Sequence, residues 1–449
     1  MLLNFSSAVG ERRLKFVTVL YRHGDRSPVN VYPTDPNKES AWPQGLGQLT
    51  QDGMRQQFEL GQALQRRYQG FLNETYDRHQ ITVHSTDYDR TLMSAEANLA
   101  GMYPPTGSQV FNPNLNWQPI PVHTVPLDED KITVHSTDYD RTLMSAEANL
   151  AGMYPPTGSQ VFNPNLNWQP IPVHTVPLDE DKLLEVPLSP CPLYDHLLEE
   201  TRHTEVYLNT AQFYKVVASS QMEFLEMLQN KTGLKNITLD SAWSLYDTLL
   251  CEATHKMPQP SWVNQEVMET LEKINDFSYQ ILFGLYKKIE KSRVQGGVLL
   301  GQILKNITQF AVPIDRKLKM MVYSAHDTTI IALQSALYLF NGRQPPYASC
   351  HIFELLQEDD GSFSVAMYFR NDTTKDPYPL VLRNCTQYCP LQDFVRHTKP
   401  VIPENWEEEC QVVNQYEKVQ TIALAVGGFL LGTILLLVLL CWLCNRRHN

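Results

Sequence analysis

Leu14-Lys15-Phe16-Val17-Thr18-Val19-Leu20-Tyr21 runs directly into Arg22-His23-Gly24-Asp25-Arg26-Ser27-Pro28. The first segment is rich in β-branched and aromatic residues and reads as a strand. The second sits where an α/β fold places its chemistry, at a strand end. Arg22 and Arg26 can fork onto phosphate oxygens with charge-assisted, bidentate geometry. His23 between them can attack phosphorus through one ring nitrogen if a hydrogen bond pins the other. Gly24 allows the backbone to approach closely. A basic surface turn is the competing reading, and this arginine–histidine–glycine spacing disfavours it.

Outward from that strand, helical and strand patterns alternate. Residues 52–71 carry apolar side chains near helical spacing, with Thr50 as N-cap. Residues 320–324 read as a strand and 328–339 as a helix. Residues 351–356 and 363–369 read as a hairpin turning at Asp360-Gly361. Between 190 and 295 the pattern is helix-rich, with helices expected over 211–229, 241–251 and 264–292. Residues 385–418 read as irregular. The expected fold is α/β, a mixed central sheet flanked by helices, with a smaller helical domain inserted. Residues 14–190 and 296–410 form its two parts, and 191–295 the helical domain.

Ser324-Ala325-His326-Asp327-Thr328-Thr329 joins the later strand to its helix. His326 can donate to a phosphoryl oxygen, and a helix N-terminus favours an anion nearby. Asp327 can protonate a leaving alcohol. An aspartate before a helix is also a common cap; beside the first motif the catalytic reading prevails.

Residues 81–131 recur without a change as 132–182. Two identical units do not make a solenoid, which needs at least three. Complete identity over 51 residues means a recent in-frame duplication or an error in assembling the gene. A close-packed core has room for one copy, so the other is expected as a loop or an appended lump. Asp87-Tyr88-Asp89-Arg90 ends the first copy's strand, and Asp138-Tyr139-Asp140-Arg141 repeats it. Either arginine can supply a third positive fork. Chain order favours Arg90, because the first strand and the first copy leave the ribosome together.

The chain has 449 residues, 43% of them apolar, and a net charge of −12. That excludes disorder, and the absence of basic runs argues against nucleic-acid binding. The histidines show no metal-ligand spacing, so a metal-dependent phosphatase is disfavoured. Residues 421–444 hold no charge. At ~1.5 Å per residue they reach about 36 Å, enough to cross a bilayer. With Arg446 and Arg447 after this span, 445–449 is expected in the cytoplasm and the bulk of the chain outside or in a lumen. Residues 411–420 read as a linker, and 1–13 as the remnant of a signal segment without its basic region. Sequons at Asn4, Asn73, Asn230, Asn236, Asn306, Asn371 and Asn384 agree with a lumenal position. Cys191, Cys251, Cys350, Cys385, Cys389 and Cys410 precede the span, and in an oxidising compartment they suggest three disulfides. Their pairing cannot be read from spacing.

Arg22-His23-Gly24-x-Arg26-x-Pro28 with His326-Asp327 resembles the signature pair of the histidine acid phosphatase family. Further likeness lies in Trp42-Pro43-Gln44-Gly45, residues 118–126, 295–299, 345–351 and 389–392, so it spans about 14–410. The resemblance implies an acid phosphatase without cofactor or metal, often a homodimer, hydrolysing small phosphomonoesters. It implies His23 as nucleophile forming a phosphohistidine and Asp327 as proton donor. Arg22, Arg26, His326 and either Arg90 or Arg141 would bind phosphate. It implies disulfides Cys191–Cys410, Cys251–Cys350 and Cys385–Cys389. It also implies a type I membrane protein of the lysosome, endosome or cell surface. Two other readings stay open: a glycoprotein whose site the duplication has impaired and which acts by binding, and a nucleotide or inositol phosphate specialist.

Overall fold

The computed structural model describes residues 12–125, 134–135, 140–174, 181, 183–187, 190–216, 224–411 and 433. The strands in these residues are β1 (Arg13–Arg22), β2 (Ile81–Thr86), β3 (His123–Val125), β4 (Val134–His135), β5 (Val173–His174), β6 (Met320–Ala325), β7 (Cys350–Gln357), β8 (Phe363–Arg370), β9 (Tyr378–Leu380) and β10 (Cys389–Pro390). The main sheet has the order β10-β8-β7-β1-β6-β2-β3, with β9 beside β8. β1, β6, β2 and β3 run parallel, and β7 and β8 antiparallel to their neighbours. The sheet is therefore mixed, as expected.

Alternation along β1 explains why it is central. Phe16 and Leu20 face one cluster, with Leu299, Ile303, Ile330 and Leu333. Val17, Val19 and Tyr21 face another, with Leu60, Leu64, Leu92 and Leu99. Successive residues point to opposite faces, so a strand apolar at nearly every position must be covered on both. The first cover consists of helices α10 (Gly296–Phe310) and α11 (Asp327–Ala336), the second of α1 (Gln51–Arg67) and α2 (Asp89–Met102). The Thr50 hydroxyl caps α1 by accepting from the Gly53 amide at 3.1 Å. α1 and α2 touch backbone to backbone: a Cβ on Gly61 would lie 2.0 Å from the Asn98 carbonyl oxygen.

Further helices among the described residues are α3 (Asp140–Met153), α4 (Pro192–Arg202), α5 (Glu205–Val216), α6 (Phe224–Thr232), α7 (Ala242–Thr254), α8 (Gln265–Phe283) and α9 (Lys288–Val294). Helices α6, α7 and α8 share a separate hydrophobic cluster that also takes in Tyr32. The single helix expected over 264–292 is two helices, because Gly284 closes α8 and Lys287 turns left-handed at φ +43°. The irregular stretch expected from 385 carries helices at Leu391–Thr398 and Trp406–Glu409. In the first, Leu391, Phe394 and Val395 recur at helical spacing and pack on the first cluster.

The repeat copies part company. β2, α2 and β3 of the first complete the main sheet and its cover. The second copy lies outside it: β4 and β5 pair with each other, and Leu143, Leu150 and Val173 form a small cluster.

Two of the expected disulfides are present, Cys191–Cys410 and Cys385–Cys389. The third requires correction: Cys251 and Cys350 are buried free thiols. Cys251 on α7 lies 3.8 Å from the Tyr347 hydroxyl, whereas Cys350 packs into the cluster under α1. Among the described residues no helix is long and apolar enough to cross a membrane. Residues 421–444, on which the membrane expectation rests, fall outside the described set apart from Thr433.

Candidate active site

Because β1, β6 and β2 are parallel neighbours, their C-terminal ends meet on one edge, with Arg22 in register with Ala325. Arg22 and His23 leave β1 there, Thr86 ends β2, and His326 and Asp327 join β6 to α11. These ends open into a cleft of about 740 Å³ lined by Arg22, His23, Arg26, Arg90, His326 and Asp327. All six are residues that the sequence reading singles out, and the fold brings them to one cleft. Arg141 is not among the lining residues; it is exposed on α3. Gly24 serves an intramolecular approach, since a Cβ there would lie 2.3 Å from the Gly53 carbonyl oxygen at the start of α1.

His23 is buried, and its Nδ1 lies 2.7 Å from the Gly24 carbonyl oxygen. A carbonyl only accepts, so that bond places the proton on Nδ1 and leaves the Nε2 lone pair available. Burial, then the charges of Arg22, Arg90 and Arg26, hold the ring well below the usual histidine range.

Each arginine is held differently. Arg22 donates through Nη1 to the Pro345 carbonyl at 2.6 Å and pairs through Nη2 with Asp327 at 2.9 Å. Its guanidinium also lies 4.2 Å from the centre of the Tyr347 ring. Arg26 makes a two-pronged pair with Asp247, both contacts 3.0 Å. Against the effect of burial, Asp247 keeps Arg26 more firmly protonated than usual. Arg90 stacks 4.2 Å from the Tyr88 ring centre, and burial followed by the charge of Arg26 brings it down to about 10. Among the described residues the buried Nε groups of Arg22, Arg26 and Arg90 have no hydrogen-bond partner. Unsatisfied cationic donors lining one cleft suit an anion with several oxygens.

The acidic side is as well defined. Asp327 is the first residue of α11. It accepts from Gln344 at 2.6 Å and the Tyr279 hydroxyl at 3.2 Å. Burial pushes its pKa up, but Arg22, Gln344 and Arg26 outweigh that and bring it down to about 2. His326 Nε2 lies 3.0 Å from the Thr86 hydroxyl and 3.7 Å from Glu185, an ion-pair separation longer than a hydrogen bond. Its ring stands 5.6 Å from that of His23. Burial and Arg90 hold His326 well below the usual histidine range.

Sequence reasoning missed Asp247, Tyr279, Gln344, Tyr347 and Glu185. Asp247 and Tyr279 sit in helices without any motif. Gln344 and Tyr347 flank Pro345-Pro346 just before β7, a quoted likeness whose purpose only the geometry shows.

The family model described as the histidine phosphatase superfamily (branch 2) matches residues 13–133 and 127–370. The first match takes in one repeat copy and the second takes in the other. Human lysosomal acid phosphatase is 49% identical over 429 residues, covering 95% of this chain and 88% of that protein. Bovine prostatic acid phosphatase is 42% identical over 419 residues, covering 92% and 93%. Among solved structures, the phytase of Citrobacter braakii aligns with a TM-score of 0.56 at 18% identity, covering 89% of this chain and all of that one. That last likeness concerns the fold.

Proposed function

Because the chain belongs to the histidine phosphatase superfamily, branch 2, we propose that it hydrolyses phosphate monoesters in acid through a phosphohistidine on His23. The observation that carries this is a buried histidine, its Nδ1 pinned to the Gly24 carbonyl, in a cleft with three guanidinium groups. The phosphoryl oxygens lie on Arg22, Arg26, Arg90 and His326, and the fixed charges stabilise the dispersed transition state. Nε2 attacks phosphorus while the bond to the ester oxygen breaks, and Asp327 gives its proton to the departing alcohol. Water then attacks the phosphohistidine, Asp327 takes back a proton, and His23 and inorganic phosphate are released.

Asp327 is ionised while Arg22 holds it. Arriving phosphate competes for that guanidinium. Its negative charge beside Asp327 raises the carboxyl's pKa, so the acid is loaded by the substrate it serves. The acid phosphatase relatives support the substrate class and an acidic compartment. The apolar run 421–444 supports a single-pass anchor with the cleft on the lumenal or extracellular side.

The test is alkaline-quench labelling with a radiolabelled phosphomonoester. The wild type should trap acid-labile label on the protein, and His23→Ala should trap none and lose nearly all turnover. Activity retained in His23→Ala would move the nucleophile elsewhere. A wild type without turnover would leave a binding glycoprotein.

A further inference from the structure

Residues along β8 alternate between the two faces of the sheet. Val365, Met367 and Phe369 belong to the cluster under α10 and α11, while Tyr368 packs on the cluster under α1. The same alternation turns Arg370, the last residue of β8, to the α1 side, paired with Cys350 of β7. Arg370 is only 7% exposed. Among the described residues its guanidinium has one partner, the Thr373 carbonyl oxygen, to which Nη2 donates at 2.8 Å, and no carboxylate pairs with it. A guanidinium carries five N–H donors, and a buried charge left without a counter-charge is costly.

Arg370 lines a cleft of about 580 Å³ between α1 and the ends of β7 and β8, walled by residues 373–377. No residue of this cleft also lines the one that holds His23. Its charges are lopsided: Arg66, Arg67, Lys375 and Arg370 stand against one carboxylate, Asp376. Two of the cations are already matched, Arg67 by Glu354 at 2.9 Å and Lys375 by Asp372 at 2.8 Å. Among the described residues Arg66 and Arg370 have no acidic partner, and Asp376 makes no ion pair. The cleft also has an apolar side, formed by Leu60 and Leu64 of α1 and Ile352 of β7.

We propose that this cleft is a second ligand site, separate from the catalytic one, for a small organic carboxylate whose head lies on Arg370 and whose apolar body lies on Leu60, Leu64 and Ile352. Paired N–H groups of a guanidinium match the two oxygens of a carboxylate, and the charge of Arg66 adds to the attraction. The volume falls within the range of small-molecule pockets, about 300–1,000 Å³. An inorganic anion would satisfy the arginines and leave the apolar side wet, so a ligand with both parts fits better. Asp376 opposes such an anion and sets a limit on its affinity.

The test uses the full-length chain in mild detergent at pH 6, with 4-fluorobenzoate as the probe and fluorine NMR as the readout. Excess inorganic phosphate keeps the probe out of the catalytic cleft. Glycans are trimmed first, because the sequon residue Asn371 is exposed next to Arg370. The wild type should bind the probe saturably with a Kd of about 1 mM or tighter. Arg370→Leu should weaken binding about tenfold or more, as loss of a charge-assisted hydrogen bond does. Asp376→Asn should tighten binding and Arg66→Gln should weaken it, each by about two- to threefold, the scale of an exposed charge. All three variants should keep wild-type kcat/KM for an aryl phosphate, because none of these residues lines the catalytic cleft. Absence of saturable binding in the wild type overturns the proposal, and so does undiminished binding in a folded Arg370→Leu protein. If Arg370→Leu does not fold, the other two variants decide: binding that neither tightens in Asp376→Asn nor weakens in Arg66→Gln overturns it as well.

Discussion

Replacing Arg90 by alanine should cripple turnover while leaving the ligand-free fold firmer, and replacing Arg141 should do neither. The two residues have identical sequence neighbours, so position alone separates them. Arg90 is half-buried beside Arg26 and brought down to about 10 from an ordinary value of 12.5. That difference corresponds to about 3 kcal/mol of unfavourable charge burial as an upper bound. The sign follows directly. A cation whose folded pKa lies below its unfolded one costs stability at every pH below the folded value, hence throughout the acid and neutral range. A phosphate bridging the guanidinium groups reverses that cost, and losing one such donor lowers kcat by about 10²–10³-fold. Arg90→Ala should therefore lower kcat/KM for an aryl phosphate by that order and weaken inhibition by inorganic phosphate. Its Tm should hold or rise. Arg141→Ala should change kcat/KM less than about twofold, as exposed substitutions do. Loss of activity in the Arg141 variant with Arg90→Ala unharmed would refute the assignment. An Arg90→Ala protein that loses activity only in proportion to a fall in Tm would make Arg90 a structural prop.

Asp327→Asn should slow alkyl phosphates by about 10²–10⁴-fold and a nitrophenyl ester far less, because only a poor leaving group needs the proton; equal losses in steady-state assays on both would count against the acid role. Glu185 is pushed up to about 7 by burial and then by Asp181, with Arg90 and the Tyr88 hydroxyl opposing. It therefore gains its charge near the phosphate site only as pH rises towards neutrality, and Glu185→Gln should raise the neutral-to-acid ratio of kcat/KM by roughly tenfold, one charge's worth. An unchanged pH–rate profile would remove Glu185 from the reaction. Burial holds both Glu96 and Glu147 well above the carboxylate range, Glu96 further raised by Glu147, with Tyr76, Asp140 and His123 the other titratable groups nearby. Acids raised on folding lose their stabilising effect as pH climbs past the unfolded value, so Glu147→Gln should raise Tm at neutral pH and leave it unchanged in acid; a uniform shift at both pH values would contradict this.

How much of this was legible from residues depends on range. β1 and its arginines were readable because the strand signal and the chemical motif are contiguous in sequence, and the same holds for His326 and Asp327 after β6. Asp247 was not readable. Its value comes from α7 lying across the cleft opposite Arg26, a tertiary contact between residues 221 positions apart. Glu185 was invisible for a related reason. It is an ordinary carboxylate until Asp181, Arg90 and burial act on it together. The split of the expected long helix into α8 and α9 had a local cue in Gly284, which the apolar periodicity on either side outweighed.

The repeat shows most directly where local sequence stops deciding. Two identical stretches form the same fourteen-residue helix, so local propensity acts alike on both. What differs is the surroundings. In α2 a Cβ on Gly101 would lie 2.1 Å from the Phe58 carbonyl oxygen, so the glycine is what lets α2 seat on α1. Gly152, its twin in α3, has no described atom within 4 Å of the same position. The sheet offers one opening beside β6, and the copy that follows α1 in the chain fills it. The second copy arrives with the same apolar surface and no strand to pair with outside itself. It packs on the outside of the first copy, where Trp168 stacks on Trp117 and Leu166 and Ala151 share a buried cluster with Leu115 and Ala100. The duplication thus leaves the cleft intact for a physical reason. No described residue of the second copy lines the cleft, and its strands pair with each other outside the main sheet.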